Sequence, residues 1–194
     1  MSAARSPLLM SPDETALWVV DVQDKLLPLV KNPSHVVWNI RRLLEAASGM
    51  EIQIATTEQY PEALGGTVPE LARWVDNAFS KKSFSCAAVE PLVAQLESQR
   101  RTKLLLVGLE THVCIQQTAL DMLARGYHVF LATDAMSARS ELDHRVALDR
   151  ITAAGGVITT TEAILFEWCQ VATGAAFELI KPLVRQTPPT ASMD

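Results

Sequence analysis

Residues 104–135, LLLVGLETHVCIQQTALDMLARGYHVFLATDA, decide the fold. A short apolar run ends in Gly108, as expected of a strand buried on both faces. Thr111 then reads as the N-cap of a helix that carries Ile115, Ala119, Met122 and Leu123 on one side. Gly126 closes that helix as a C′ residue, and a second apolar run follows from His128 to Ala132. Cys114 falls in the first turn of the helix, among unpaired backbone N–H groups at the positive end of the helix dipole. Both features favour a thiolate, and the same N–H groups suit an oxyanion formed when that thiolate attacks a carbonyl. A lone cysteine on a helix is also a common core filler, so the reading rests on what surrounds it.

Working outward, the strand–helix alternation continues. Ala16–Val20 is a buried strand ending at Asp21. Residues 33–48 carry Val36, Val37, Ile40, Leu43, Leu44 and Ala47 at helical spacing, with Gly49 as the stop. Residues 51–55 form a second strand, followed by a long irregular connection, TTEQYPEALGGTVPEL, of the kind that is usually functional inside a compact domain. A short strand within 77–84 leads into KKSFSC, and a helix spans 89–97. Ser140 with Asp143 three positions on reads as a capped helix start, and that helix runs to about residue 154. A last short strand covers 157–159, and helices cover 161–169 and 175–184. This order predicts one α/β domain with a mostly parallel sheet covered on both faces. Residues 1–14 are expected as a flexible arm, 15–185 as the domain, and 186–194 as a flexible tail.

The chain has 194 residues, 48% hydrophobic and 20% charged, which suits one globular core. A net charge of −5 without a Lys/Arg block argues against nucleic acid as a partner. Three cysteines at irregular spacing give neither a disulfide framework nor a zinc pattern and favour a reducing compartment. No run at the N-terminus is apolar enough for a signal peptide or a membrane span, so the expected location is cytoplasmic, with no membrane partner. Nucleotide-binding glycine motifs are absent.

Ligands of doubly wound sheets sit outside the carboxyl ends of the strands. Asp21, Lys81 and Cys114 each fall at such an end. Asp21 suits a general base, Lys81 holds its carboxylate ionised, and Cys114 is the nucleophile.

These residues lie in stretches that resemble the isochorismatase-like cysteine hydrolases, a family that includes nicotinamidases and carbamoylsarcosine amidohydrolases. The matching segments are Val19-Val-Asp-Val-Gln23, Lys81-Lys-Ser-Phe-Ser85, Val107-Gly-Leu-Glu-Thr-His-Val-Cys114 and Thr133-Asp-Ala135, in order over about residues 15–185. TEQYP and THVCIQQTALD bring the chain nearest the isochorismatase domain-containing subgroup. The resemblance implies a three-layer αβα, Rossmann-like fold and an Asp21–Lys81–Cys114 triad. Lys81 is preferred to Lys82 because the family lysine lies three positions before the aromatic of an aromatic-Ser pair, here Phe84–Ser85. The resemblance also implies a cis peptide at Leu109–Glu110, with the N–H groups of Glu110 and Cys114 as oxyanion hole.

Nicotinamidases carry an Asp-x-His metal site where this chain reads Thr56-Thr-Glu-Gln-Tyr60. His35, His112, His128 and His144 are too scattered for a ligand set, so neither a metal nor another cofactor is expected. Gln23, Gln59, Tyr60 and Phe84 are candidates for substrate-binding walls. His112, two residues from Cys114, does not face it and is read as packing beside the turn or at a subunit contact. The expected activity is hydrolysis of an amide-type C–N bond in a small molecule through a Cys thioester. Isochorismate-type vinyl ether hydrolysis, or a weakly active binding or scaffold protein, are the alternatives. A homo-oligomer, dimer or larger, is expected.

Overall fold

A computed structural model describes residues 5–75 and 77–190 of the chain. Six strands alternate with helices: β1 (Thr15–Val20), α1 (Pro33–Gly49), β2 (Gln53–Gln59), α2 (Pro61–Leu64), β3 (Phe79–Lys81), α3 (Glu90–Ser98), β4 (Lys103–Leu109), α4 (Gln116–Ala124), β5 (His128–Ser137), α5 (Glu141–Ala153), β6 (Val157–Thr159), α6 (Thr161–Cys169) and α7 (Gly174–Val184). All pairings are parallel, in the order β3-β2-β1-β4-β5-β6. The chain runs outward twice from the centre, so the order reverses between β1 and β4. That is the switch point where doubly wound sheets bind ligands.

β1 and β4 are buried along their whole length, which explains their unbroken apolar runs. Alternate residues face opposite layers. Leu17, Val19, Leu105, Val107 and Leu109 pack against α1, α6 and α7. Ala16, Trp18, Val20, Leu104 and Leu106 pack against α3, α4 and α5. The result is one domain of three layers, as the alternation predicts.

Several local expectations shift. β2 runs on to Gln59, four residues past the predicted end, because Thr56 and Thr57 suit a strand and pair with Val19 and Val20. Gly49 stays within α1, where a Cβ would meet Leu179 at 2.6 Å, and the left-handed residue after the helix is Glu51. β5 extends to Ser137 through an irregularity after Leu131. Asp134 in this irregular stretch accepts hydrogen bonds from Thr161 N and Oγ1, fixing the start of α6. The segment expected as a flexible arm is docked over residues 5–14: Met10 is fully buried, its N–H donates to Glu167, and Lys103 donates to Leu9 O and Glu14. Residues 1–4 and 191–194 lie outside the described residues. Ahead of the last four, Thr187 and Pro189 line a cavity that Pro33, Ser34 and Val37 of α1 also line. Among the described residues no helix is long and apolar enough to cross a membrane.

Candidate active site

Asp21, Lys81 and Cys114 come together at the carboxyl end of the sheet. β1 delivers Asp21 one residue past its end, with a left-handed backbone (φ 55). The edge strand β3 ends on Lys81. β4 ends at Leu109, the Leu109–Glu110 peptide is cis, and a single π-helical turn, Thr111–Ile115, carries Cys114 ahead of α4. Gly108 makes this approach possible. Its φ is +120, and a Cβ there would sit 2.1 Å from Val20 O.

Lys81 Nζ lies 2.7 Å from Asp21 Oδ2, 2.6 Å from Gln59 Oε1 and 3.6 Å from Cys114 Sγ. Ser83 O and Phe84 O lie at 3.3 and 3.2 Å. Thr57 Oγ1 donates to the other oxygen, Asp21 Oδ1, at 2.8 Å, and Thr57 O accepts from Asp21 N. Asp21, Thr57, Lys81 and Cys114 are all buried, so these charges act in a poorly screened setting.

Burial pulls the Lys81 ammonium down, but Asp21, Cys86 and Cys114 outweigh it and hold the group above its ordinary range. Burial pushes the Cys114 thiol up, the Asp21 carboxylate adds to this, and Lys81 opposes both. Burial and the Asp21 carboxylate therefore favour the thiol, against the thiolate that the helix terminus alone favours. Cys86, within 3.7 Å of Thr57 Oγ1, is pushed up to about 11 by burial and Asp21.

Thr111 is not the N-cap. Helical geometry begins at Thr111 itself after Glu110, and Ile115 N–H reaches back to Glu110 O across the wider π turn. The Thr111 hydroxyl instead lies 2.8 Å from His144 Nδ1 of α5. Ser140 caps α5 as predicted, accepting from Asp143 N.

Residues 15–163 match the family model described as Isochorismatase domain. The chain belongs to the isochorismatase family. It is 35% identical over 195 residues to Isochorismatase domain-containing protein 2A of Mus musculus, covering 100% of this chain and 94% of that one. With Isochorismatase domain-containing protein 1 of Salmo salar it shares 36% identity over 186 residues, covering 94% of this chain but only 65% of the longer relative. A solved structure described as the MAR1 ribonuclease of Caenorhabditis elegans superposes with a TM-score of 0.88 at 32% identity, covering 96% of this chain and 97% of that one.

The wall candidates of this isochorismatase-family chain divide in two. Gln23 is fully buried: its Nε2 donates to Gln59 O and Gly65 O, and its Oε1 accepts from Gln59 N. Gln59 Nε2 donates to Lys82 O. Tyr60 and Phe84 are exposed, and Lys82 Nζ stands 5.1 Å from the Tyr60 ring centre. The Glu110 carboxylate is buried and paired at 2.8 Å with Arg139 Nε, and His112 Nδ1 lies 3.4 Å from it, beside the turn. Glu58 accepts from Thr67 N and Oγ1. Two cavities, of about 560 and 510 Å³, are lined by residues outside the triad: one by Leu27, Trp38 and Arg41, the other by Trp74, Phe79 and Gln95.

Thr57, His144 and Arg139 were not singled out from sequence. Thr57 was within reach: continuing the Thr-rich strand two residues past Ala55 places it beside the end of β1. His144 and Arg139 act across distant elements and leave no local signature.

Proposed function

We propose that this chain is a cysteine hydrolase that cleaves an amide-type C–N bond in a small molecule. The observation that carries the proposal is the convergence of three strand ends on one point, with Lys81 Nζ within 2.7 Å of Asp21 and 3.6 Å of Cys114 Sγ. Asp21 takes the thiol proton as Sγ attacks the carbonyl carbon, so thiolate character develops only along the reaction. The N–H groups of Glu110 and Cys114 receive the oxyanion. Collapse of the tetrahedral intermediate breaks the C–N bond, and the leaving amine takes the proton back from Asp21. Water, deprotonated by Asp21, then attacks the thioester, releasing the acid and restoring the thiol. Lys81 remains an ammonium throughout and balances whichever neighbour is anionic.

Tyr60 and Phe84 are the side chains open to a substrate. Gln23 is committed to the protein backbone, and Gln59 turns its Oε1 to Lys81 and, at 3.9 Å, to Cys114 Sγ. No cofactor takes part in this scheme. Three free cysteines fit a reducing, cytoplasmic setting. Exposed Leu142 and Val146, one turn apart on α5, fit a homo-oligomer. The apolar faces of α6 and α7, by contrast, are spent on the core through Ile164, Leu165, Trp168, Ile180 and Leu183.

The test is a panel of small primary and secondary amides, assayed for released amine and, after rapid quenching, for an acyl adduct on Cys114 by mass spectrometry. Turnover and adduct in the wild type, both lost in Cys114→Ala, support the reading. Amine release that survives Cys114→Ala, or a panel without turnover, overturns it.

A further inference from the structure

The Lys81 ammonium has three N–H groups and two short contacts. One goes to the Asp21 carboxylate at 2.7 Å, the other to the neutral Gln59 carboxamide oxygen at 2.6 Å. Gln59 is in turn held at both ends. Gln23 pairs with its backbone in the manner of a neighbouring strand, donating to Gln59 O at 3.0 Å and accepting from Gln59 N at 2.7 Å, and Lys82 O anchors its Nε2 at 3.0 Å. Its Oε1 also stands 3.9 Å from Cys114 Sγ. A glutamine so fully engaged on its other atoms cannot turn its amide around, so its oxygen is fixed toward the lysine.

We propose that Gln59, set by Gln23, is the positioning residue that keeps the Lys81 ammonium between Asp21 and Cys114 while the proton moves from sulfur to carboxylate. This rests on the hydrolase reading above. Before that transfer Lys81 is held by an anion at Asp21; after it, Asp21 is neutral and the negative charge is on sulfur. The Asp21 contact weakens at the moment the charge is needed at Sγ, and among the neutral acceptors that remain, Ser83 O and Phe84 O at 3.3 and 3.2 Å are longer contacts than Gln59 Oε1 at 2.6 Å. Gln59 is neutral before and after, so its grip does not change with the proton's position. A carboxylate at 59 would fail in that role, because it would put a negative charge 3.9 Å from the forming thiolate.

The experiment measures the second-order rate of Cys114 alkylation by iodoacetamide at several pH values, by peptide mapping, in wild type, Gln59→Met, Gln59→Glu and Gln23→Leu. Circular dichroism and thermal melting check each fold. At pH 8, Gln59→Met is expected to slow labelling at least threefold and Gln59→Glu more than tenfold. Gln23→Leu should move the rate the same way as Gln59→Met, and rates in Gln59→Glu should recover only at higher pH. A folded Gln59→Met whose pH–rate curve superposes on wild type overturns the positioning role and leaves the hydrolase reading standing. If Gln59→Met fails to fold, a Gln59→Glu curve that matches wild type overturns it equally. Amine release from the amide panel that survives Cys114→Ala instead removes the hydrolase reading, and the positioning role with it.

Discussion

Lys81 Nζ and Asp21 Oδ2 form an ion pair 2.7 Å apart, with side chains only 1% and 0% exposed. Desolvating two charges is costly, and the pair persists because each has further partners, Thr57 on Asp21 and Gln59 on Lys81. Lys81→Met leaves a buried carboxylate with a single hydroxyl donor and is expected to destabilise the protein by about 3–5 kcal/mol in urea unfolding. The folded ammonium is held above its ordinary range, so the stability it contributes is complete below about pH 10.4 and is lost as pH rises through the folded value. Wild type should therefore lose more stability than Lys81→Met as pH rises above about 10.4. Equal losses would show that the lysine is not paired in solution.

Asp21 both raises the thiol of Cys114 and serves as its base, and Asp21→Asn separates the two effects. Without the carboxylate, Lys81 faces Cys114 with no competing anion, and the thiolate becomes easier to form. Iodoacetamide labelling of Cys114 at pH 7.5 is expected to rise, by about tenfold for each pH unit that the thiol falls. Amide turnover should fall by roughly 10²–10⁴, because no group remains to carry the proton to the leaving amine. Slower labelling in Asp21→Asn would mean that the carboxylate assists ionisation in the resting site.

How much of this is legible from residues alone depends on the range of each interaction. β1 and β4 are readable because a strand buried on both faces must be apolar throughout, and the end of each run dates the appearance of Asp21 and the Gly108 turn. Ser140 is readable because a cap acts over three residues. Lys81 needed the resemblance, since nothing local distinguishes it from Lys82 beyond its register with Phe84–Ser85. The balance at Cys114 is only half legible, because the helix terminus is visible in sequence, whereas burial and the Asp21 carboxylate arrive from other strands. The docking of residues 5–14 was missed for a similar reason: the seat of Met10 and the partners Glu167 and Lys103 lie far along the chain.

Gly108→Ala tests the close approach of β1 and β4 beneath the site. An added Cβ would stand 2.1 Å from Val20 O and 2.8 Å from Val20 N, and both belong to backbone that cannot swing aside. The residue also has a φ of +120, outside the range side chains tolerate. A loss of more than about 3 kcal/mol is expected in urea unfolding. Because Val20 precedes Asp21, any folded fraction should also label abnormally at Cys114. An alanine variant with wild-type stability would mean that the two strands do not meet this closely.

His144 links α5 to the turn that carries the nucleophile, with Nδ1 2.8 Å from Thr111 Oγ1 and Nε2 3.5 Å from Thr133 Oγ1. Burial holds its pKa below the ordinary histidine value, with Glu141 opposing. The folded imidazole is thus neutral where the unfolded chain, with a pKa of about 6.5, already takes up a proton. By linkage, the unfolded state binds more protons below neutrality, so stability falls as pH drops from about 7 toward the folded pKa. His144→Gln keeps a hydrogen-bonding side chain without this titration. Wild type is expected to lose more stability than His144→Gln between pH 7 and 5.5, all other titrating groups being common to both. Cys114 alkylation, corrected for the change in thiolate fraction with pH, should show an acid step in wild type that the variant lacks, since Thr111 begins the turn that holds the sulfur. Parallel curves in both measurements would show that His144 does not restrain this turn.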